Sequence, residues 1–341
     1  MSQSLIDDVL EDYGAMTRAA MEAYLRPGHP MADLYEPMAD YPRRGGKMMR
    51  PAILMATASA FGVPAKQAAE LAASLELLHN ALLIHDDIED GSEYRRGEKT
   101  LHQTLGVGLA INTGDALALA SLRPLTDALP RFGPSIANAL TAEMHRMARE
   151  TAEGQAIELG WRRARTTALA PEDYLVMVMK KTCWLATIYP CRAGATLGWR
   201  QAPPPQAFVN FGFFFGAAFQ IWDDVLNIEA DDRYGKEIGG DIAEGKRTLM
   251  LIDLFHRLDD DKRARLMRLL AAPRGAQDKQ DLIWATRKMK EVGSLDRARS
   301  TARGLVGAAC HEFEISFAGA REGRDKAFLR ALPLWSISRA A

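Results

Sequence analysis

Two acidic clusters at the ends of apolar runs are the residues of this chain best suited to do chemistry. The first cluster follows residues 81–84, and the second follows residues 219–222. Carboxylates in apolar surroundings are costly unless a cation neutralises them, so the two clusters together indicate one site for divalent metal. Mg²⁺ suits such oxygen ligands, because it commonly binds a few carboxylates together with substrate phosphates. The candidate metal ligands are Asp86, Asp87, Asp90, Asp223, Asp224 and Asn227.

The spacing within each cluster fits one face of a helix. Asp86 and Asp90 are four residues apart, which places both carboxylates on the same side, with Asp87 turned by roughly 100°. An isolated acidic run is more often a solvated helix end, but the apolar residues directly before Asp86 weaken that interpretation. The second cluster repeats the spacing, with Asn227 in place of the last carboxylate.

Basic residues accompany both acidic clusters and extend the prediction to phosphate binding. A glycine-rich turn at residues 45–46 enters a helix with two cations, and such a backbone lets an anion approach closely. Guanidinium groups suit phosphate oxygens because their donors form a planar fork. Each cation alone is most simply a solvated surface charge, but their recurrence beside both clusters favours a binding site. The candidate cations are Lys47, Arg50, Arg95, Arg96, Lys181, Lys236 and Lys246.

Helices must position these side chains, because strand patterning is nearly absent and apolar residues recur at intervals of three and four. Residues 68–84 read as a core helix that leads into the first cluster. Similar patterns predict helices over residues 5–25, 51–61, 109–119, 135–159, 171–197, 206–227, 249–258 and 281–291. The breaks between them are short and rich in Gly and Pro. We therefore predict one all-α domain over residues 1–341, with antiparallel helices around a central active-site cavity.

Composition and charge argue against several other classes of function. The 341 residues carry 43 basic and 44 acidic side chains, which disfavours nucleic-acid binding through a broad basic surface. The three cysteines lack paired ligand spacing, so neither a disulfide framework nor a zinc site is expected. The amino terminus lacks the apolar core of a signal peptide, and the most apolar stretch, residues 208–222, contains polar residues and runs into two aspartates. We expect a cytoplasmic protein without a membrane span.

The order of the motifs resembles that of the trans-isoprenyl diphosphate synthases, also called polyprenyl synthetases, and is closest to the geranylgeranyl diphosphate synthases. The matching segments run from Gly45 to Leu249 and read GGKMMRP, LLHNALLIHDDIEDGSEYRRG, LHQTLGVGLAINTGD, EGQAIEL, KKTCW, FQIWDDVLN and GKEIGGDIAEGKRTL. The resemblance implies an isoprenoid synthase fold and a homodimer. It also implies that isopentenyl diphosphate condenses with dimethylallyl, geranyl or farnesyl diphosphate. Several Mg²⁺ ions would assist ionisation, and loss of a proton would complete an all-trans chain one isoprene unit longer.

The same resemblance assigns roles to individual residues. The metal ions would be bound by Asp86, Asp87 and Asp90, with Asp223 and Asp224 completing the cluster and Asn227 departing from the commoner aspartate. The allylic diphosphate would be held by Arg95, Lys181, Lys236 and Lys246. Isopentenyl diphosphate would be held by Gly46, Lys47, Arg50, His79 and Arg96, although His79 by itself reads as a core histidine. Near the reacting carbons would lie Thr182 and Gln220.

The length of the product is predicted from residues one or two turns before Asp86, because the growing chain extends along that helix. Leu78, Ala81 and Leu82 carry no aromatic bulk there, and the first motif has no insertion of the farnesyl type. We therefore predict a product longer than farnesyl diphosphate, namely geranylgeranyl diphosphate. The aromatic cluster at residues 211–215 either blocks the pocket or packs in the core or a dimer interface.

Three alternatives stay open at this point. The product could be farnesyl diphosphate or a longer polyprenyl diphosphate. A class I terpene cyclase shares helical architecture and aspartate-bound magnesium, but it needs no isopentenyl diphosphate site, which Lys47, Arg50 and Arg96 favour here. A non-catalytic regulatory subunit of a synthase usually loses one acidic motif, whereas both are present in this chain.

Overall fold

Helices account for nearly all regular structure in this computed structural model, which describes residues 2–229, 240–272 and 276–338. The first half contains α1 (Ser2–Glu22), α2 (Glu36–Arg43), α3 (Met49–Ala60), α4 (Ala69–Asp90), α5 (Leu101–Leu105), α6 (Val107–Ala120), α7 (Leu122–Ala128) and α8 (Pro134–Ala164). The second half contains α9 (Pro171–Val178), α10 (Tyr189–Trp199), α11 (Val209–Glu229), α12 (Gly240–Ala243), α13 (Leu249–Arg257), α14 (Asp260–Ala271), α15 (Lys279–Glu291), α16 (Ser294–Ser316) and α17 (Arg324–Ser338). The predicted all-α fold is confirmed.

A few short elements complete the described chain. The antiparallel hairpin of β1 (Tyr94–Arg95) and β2 (Glu98–Lys99) follows the first acidic cluster. The predicted helix over residues 171–197 is interrupted by π-helical turns at Met179–Ile188, which the apolar periodicity did not indicate. No helix among the described residues combines the length and the apolar character needed to cross a bilayer.

Helix α4 is buried on two opposite faces and carries the first acidic cluster on its last two turns. On one face Leu71 and Leu75 belong to the main core, whereas Leu77 and Ala81 pack in a second apolar cluster together with residues of α6. The helix ends at Gly91, whose backbone has a φ of 61°. Glycine adopts this left-handed conformation without a steric penalty, so the helix stops directly after the acidic cluster.

Two glycines let neighbouring helices press against the π-helical segment from both sides. A Cβ atom at Gly154 of α8 would lie 2.2 Å from the backbone nitrogen of Lys181, and one at Gly216 of α11 would lie 2.8 Å from Cys183 Sγ. Neither position leaves room for a side chain. The close approach brings α8, the π-helical segment and α11 together as three adjacent walls.

The aromatic residues at 211–215 pack away from the central cavity. Phe211 and Phe215 are buried, and the Phe211 ring centroid lies 5.7 Å from that of Phe313 on α16 and 5.6 Å from that of Phe317. No residue of 211–215 lines the central cavity described below. Of the two interpretations left open by the sequence, the structure supports core packing.

Replacing Gly154 with Ala should destabilise the protein, because the new methyl group meets the backbone of Lys181. We expect a loss of about 1–3 kcal/mol in the free energy of unfolding, the usual range for overpacking. Gly160→Ala on the same helix is the matched control, since a Cβ there meets nothing within 4 Å, and it should leave stability unchanged or raise it by about 0.5–1 kcal/mol. Denaturant titration of both variants measures the difference, and equal stabilities would contradict the steric account.

Candidate active site

A cavity of about 490 Å³ lies between α4, α8, α9 with the π-helical segment, and α11. Most of the predicted site residues line this central cavity, namely Arg50, His79, Leu82, Asp86, Arg95, Lys181, Thr182, Gln220, Asp223, Asp224, Asn227 and Lys246. The rest of the wall includes the apolar residues Leu83, Ala152, Ala156, Met177, Val178, Leu185 and Phe219. The structure therefore brings the two acidic clusters and their cations to one chamber that continues into an apolar part.

Asp86 is surrounded by cations. Its carboxylate lies 3.3 Å from Lys181 Nζ and 3.6 Å from a terminal nitrogen of Arg95. Burial would raise the pKa of Asp86, but the positive charges of Lys181, Lys246 and Arg95 outweigh it and hold that pKa below its ordinary value. Asp86 is therefore an anion that faces the cavity.

Asp90 joins the end of α4 to two other elements. One carboxylate oxygen lies 2.6 Å from Arg162 of α8, and the other lies 2.8 Å from Lys246 Nζ. Lys246 also contacts Glu244 at 2.6 Å. Burial raises the pKa of Asp90 to about 7, although Lys246 acts in the opposite direction. The network fixes the segment after α12 against the first acidic cluster.

Asp87 is turned away from the cavity, which does not fit its predicted role as a metal ligand. The side chain is fully buried and accepts hydrogen bonds from the hydroxyl of Tyr41 on α2 and, at 2.9 Å, from Nε of Arg95. The turn of roughly 100° from Asp86 directs it toward α2 and the hairpin, because consecutive residues of a helix face different sides. In this structure Asp87 holds Arg95.

The two aspartates of the second acidic cluster also differ in their surroundings. Asp223 lines the cavity, whereas both oxygens of Asp224 accept hydrogen bonds, from the Tyr174 hydroxyl and from Gln220 Nε2, each at 2.8 Å. Burial, and then the charge of Asp241, raise the pKa of Asp224 to about 8. Asp224 thus lies at the cavity wall with its acceptor atoms directed to protein donors.

Asn227 links the second cluster to the segment that follows it. Its side-chain oxygen accepts a hydrogen bond of 3.2 Å from the backbone N–H of Asp241, and both residues line the central cavity. An amide oxygen can serve this contact without adding a negative charge to an already acidic region. Asn227 thereby connects α11 to the start of α12.

The π-helical segment presents Lys181 and Thr182 to the cavity. Lys181 Nζ lies 2.8 Å from Glu158 on α8 in addition to its contact with Asp86. The hydroxyl of Thr182 donates a hydrogen bond of 3.1 Å to Gln220 Oε1. These contacts connect three walls of the cavity at the level of the acidic clusters.

Arg50 and His79 both line the cavity. Nε of Arg50 is buried and has no hydrogen-bond partner within the described residues. His79 Nδ1 lies 3.3 Å from Glu76, and burial, followed by the charge of Arg50, lowers the pKa of His79 to about 4. A neutral histidine beside a buried arginine with an unused donor is suited to an anionic ligand.

Gly46, Lys47 and Arg96 do not line the central cavity. A terminal nitrogen of Arg96 donates a hydrogen bond of 3.0 Å to the carbonyl of Tyr41, and a Cβ at Gly46 would lie 2.9 Å from this guanidinium. Gly46 and Lys47 line a separate cavity of about 550 Å³, where Lys47 Nζ lies 5.8 Å from the ring centroid of Trp335. The structure does not bring Lys47 beside Arg50 and His79 at the central cavity.

The three predicted chain-length residues lie in different surroundings. Leu82 lines the central cavity, whereas Ala81 is fully buried in the cluster shared with α6, and Leu78 packs against the main core. Only Leu82 is therefore placed where it can touch a ligand in this cavity. The predicted diphosphate ligand Lys236 lies outside the described residues.

Several further residues, which the sequence did not predict, line the cavity or contact a predicted site residue, namely Tyr41, Glu89, Gln155, Glu158, Arg162, Tyr174, Asp241, Glu244 and Arg247. Gln155 and Glu158 belong to the segment EGQAIEL, so their motif was recognised without a role for either side chain. Gln155 donates to Glu89 and, at 3.4 Å, to Asp86. A signal existed for these two residues, since polar side chains that recur within a core helix indicate a shared polar face.

The oxygen donors of the cavity fit a divalent metal together with a further ligand. Among the described residues, no three side chains of His, Cys, Asp or Glu converge closely enough to hold a metal by themselves. Asp86 and Asp223 nonetheless line the same cavity from α4 and α11. Mg²⁺ typically binds one or two carboxylates and completes its coordination with water and substrate phosphates. The donor set therefore fits a hard cation that binds jointly with a phosphate group.

The all-α bundle with its charged cavity is the architecture of the helical isoprenoid synthases. The solved structure of geranylgeranyl pyrophosphate synthetase from Pyrococcus horikoshii Ot3 has a TM-score of 0.84 at 28% identity, with 99% of each chain covered. The polyprenyl synthase of Caulobacter crescentus CB15, solved in complex with calcium and isoprenyl diphosphate, has a TM-score of 0.83 at 26% identity. The alignment covers 100% of this chain and 99% of the Caulobacter chain. These similarities agree with the predicted fold.

Sequence comparison identifies the family. The family model described as polyprenyl synthetase matches residues 31–289. The geranylgeranyl pyrophosphate synthase of Geoglobus acetivorans is 31% identical over 313 residues, which cover 91% of this chain and 93% of that protein. The chain therefore belongs to the polyprenyl synthetase family and is an enzyme of the prenyltransferase class. The family predicted from the motifs is confirmed.

Proposed function

We propose that this enzyme condenses isopentenyl diphosphate with an allylic diphosphate to form geranylgeranyl diphosphate. The observation that carries the proposal is one cavity in which buried carboxylates and cations from both acidic motifs meet next to an apolar wall. Diphosphates need the charged part, and prenyl chains need the apolar part. The similarity to geranylgeranyl pyrophosphate synthases from two archaea supports the product.

Magnesium fits the charged part of this cavity. Asp86 of α4 and Asp223 of α11 would hold it jointly with the substrate diphosphate. Asp90 and Asn227 would join them by exchanging their present contacts with Arg162, Lys246 and the backbone of Asp241. When bound, it would supply positive charge that stabilises the departing diphosphate. The structure of the related Caulobacter protein with calcium and isoprenyl diphosphate supports a divalent cation in this site.

The allylic diphosphate meets cations from three elements. Arg95 follows α4, Lys181 lies on the π-helical segment, and Lys246 follows α12. All three already contact Asp86 or Asp90, so a diphosphate bound there is surrounded by donors that are oriented in advance. Such preorganised charges stabilise the negative charge that develops as the carbon–oxygen bond breaks. We assign Lys236 to the same group from its motif.

We assign isopentenyl diphosphate to Arg50 and the neutral His79 beside it. The unused buried donor of Arg50 supports an anion at this position. Arg96 lies beside Gly46 at the neighbouring turn, and Lys47 would have to turn away from Trp335 to reach the same anion.

The reaction then joins the two carbon chains between these groups. Ionisation leaves an allylic cation, the isopentenyl double bond attacks it, and a proton is lost to the departed diphosphate. Oxygen atoms of Thr182 and Gln220 face each other at the cavity wall and would lie near the cation. Apolar side chains such as Leu82 and Phe219 keep water from capturing the cation.

Direct product analysis tests the proposal. Purified enzyme with Mg²⁺, isopentenyl diphosphate and each of the three allylic diphosphates should form geranylgeranyl diphosphate as the main product, and chelation of the metal should abolish turnover. Chromatography of the dephosphorylated products measures chain length. A product that stops at farnesyl diphosphate would reject the assigned length. Release of a hydrocarbon from one prenyl diphosphate alone would indicate a terpene cyclase instead.

Leu82→Phe should shorten the main product to farnesyl diphosphate, because the ring narrows the apolar part of the cavity without contacting a diphosphate ligand. We expect turnover to remain within about tenfold of the unmodified enzyme, since no charged group is removed. The matched control is Leu78→Phe, the same substitution one turn earlier on α4 at a position that packs against the core. A shorter product from Leu78→Phe, with none from Leu82→Phe, would show that the chain grows along another path.

We further propose that the enzyme is a homodimer that pairs through α6 and the start of α7. Val107, Ile111, Leu119 and Leu122 are apolar, yet each exposes more than two-fifths of its surface, Leu119 as much as 71%. The opposite face of α6 is buried against α4. An apolar row on an exposed helix face is typical of an interface between copies.

Light scattering coupled to size-exclusion chromatography should give twice the chain mass of 37.6 kDa. Leu119→Glu should shift the protein toward the monomer, because it places a charge in the apolar contact. Leu334→Glu is the control, since Leu334 is a similarly exposed leucine, at 60%, on α17. A dimer that survives Leu119→Glu and dissociates with Leu334→Glu would move the interface to α17.

A further inference from the structure

The second aspartate of each acidic motif is bound to a buried tyrosine from a distant part of the chain. Tyr41 of α2 is 0% exposed and donates its hydroxyl hydrogen bond to Asp87. Tyr174 of α9 is 1% exposed and donates a hydrogen bond of 2.8 Å to Asp224. The same arrangement therefore occurs twice, once for each motif.

Each aspartate also accepts a hydrogen bond from a side chain at the cavity wall. Asp87 accepts from Nε of Arg95 at 2.9 Å, and Asp224 accepts from Nε2 of Gln220 at 2.8 Å. Because the nitrogen end of the Gln220 amide is engaged by Asp224, its oxygen end is directed to Thr182, whose hydroxyl donates to it at 3.1 Å. The contact from Tyr174 thus continues through Asp224 and Gln220 to Thr182.

The tyrosine contact distinguishes the second aspartate of each motif from the first. Asp86, Asp223 and Asp224 line the cavity, whereas Asp87 does not, and both oxygens of Asp224 accept hydrogen bonds from protein donors. Each tyrosine hydroxyl donates to its aspartate, so both tyrosines act as hydrogen-bond donors.

We propose that Tyr41 and Tyr174 are positioning residues which, through the second aspartate of each motif, hold Arg95 and Gln220 in the orientation that the reaction needs. Asp87 and Asp224 then orient protein side chains and are not metal ligands. Long side chains such as those of Arg and Gln lose rotamer freedom when they bind, and a buried partner that fixes them beforehand removes that cost from the binding step. This inference rests on the proposed function, because Arg95 and Gln220 are assigned to the substrates there.

The two tyrosines should have different kinetic signatures. Arg95 contacts the allylic diphosphate in the proposed complex, so Tyr41→Phe should raise KM for the allylic substrate by about tenfold with kcat nearly unchanged. Gln220 and Thr182 lie near the reacting carbons, so Tyr174→Phe should lower kcat by about tenfold to a hundredfold with both KM values nearly unchanged. Phenylalanine keeps the ring that fills each site and removes only the donor.

Tyr189→Phe is the matched control. Tyr189 is also fully buried, but its hydroxyl has no hydrogen-bond partner within the described residues. Loss of this hydroxyl should change neither kinetic constant. Thermal midpoints of all three variants report whether the fold is kept, and Asp87→Asn or Asp224→Asn, which preserve side-chain shape, replace any tyrosine variant that does not fold.

Two further measurements separate positioning from metal binding and from a merely structural role. The Mg²⁺ concentration that gives half-maximal rate should stay the same in Tyr41→Phe and Tyr174→Phe, whereas Asp223→Asn should raise it. In a Gln220→Ala background, Tyr174→Phe should lose its effect on kcat, because the residue through which it acts is gone. The corresponding background for Tyr41 is Arg95→Lys.

The outcomes distinguish this inference from the proposed function. If the unmodified enzyme forms a prenyl diphosphate but both tyrosine variants behave like Tyr189→Phe, the inference alone is overturned. A raised Mg²⁺ requirement in both variants would also overturn it, because Asp87 and Asp224 would then belong to the metal site. If the unmodified enzyme does not condense the two substrates, the proposed function fails, and the inference fails with it unless Tyr41→Phe still weakens binding of the allylic diphosphate in calorimetry.

Discussion

Compensation of buried charge is the constraint on which the rest of this structure depends. Asp86 and Asp90 lie at the end of a helix that is otherwise packed on both sides, and an uncompensated carboxylate there would be strongly destabilising. Lys181, Arg162 and Lys246 provide the compensation from three different elements. A diphosphate and divalent cations that enter together bring charges of both signs. The carboxylates can then pair with the metal ions and the basic side chains with the diphosphate, so no buried charge is left unpaired. The same network thus stabilises the fold and prepares the site.

This compensation works only if the helices approach each other closely. Gly154 lets α8 contact the backbone at Lys181, and Gly216 lets α11 contact Cys183. The π-helical turns between α9 and α10 change the direction in which Lys181 and Thr182 project, and such turns are frequent at functional sites. The cavity therefore results from backbone packing as much as from the charged side chains that line it.

Sequence periodicity and motif order predicted the all-α fold, the family, and twelve of the residues that line the cavity. They did not predict which side chains the second aspartate of each pair contacts, because helical spacing gives the face of a residue but not the element that packs against that face. Tyr41 and Asp87 are 46 residues apart, and Tyr174 and Asp224 are 50 apart. Lys47 illustrates the same limit, since nothing near its motif indicates that Trp335 of α17 lies beside it.

The orientation of α4 also bears on product length. Leu82 lies one turn before Asp86 and shares its face, whereas Ala81 is rotated toward α6 and belongs to a different apolar cluster. Leu82 lines the cavity together with Val178 and Leu185 from the neighbouring wall, so a prenyl chain bound as proposed would meet all three side chains. The space available to the chain is therefore bounded jointly by α4, α9 and the π-helical segment. The size of the side chains before the first aspartate motif accordingly determines the product length only in part.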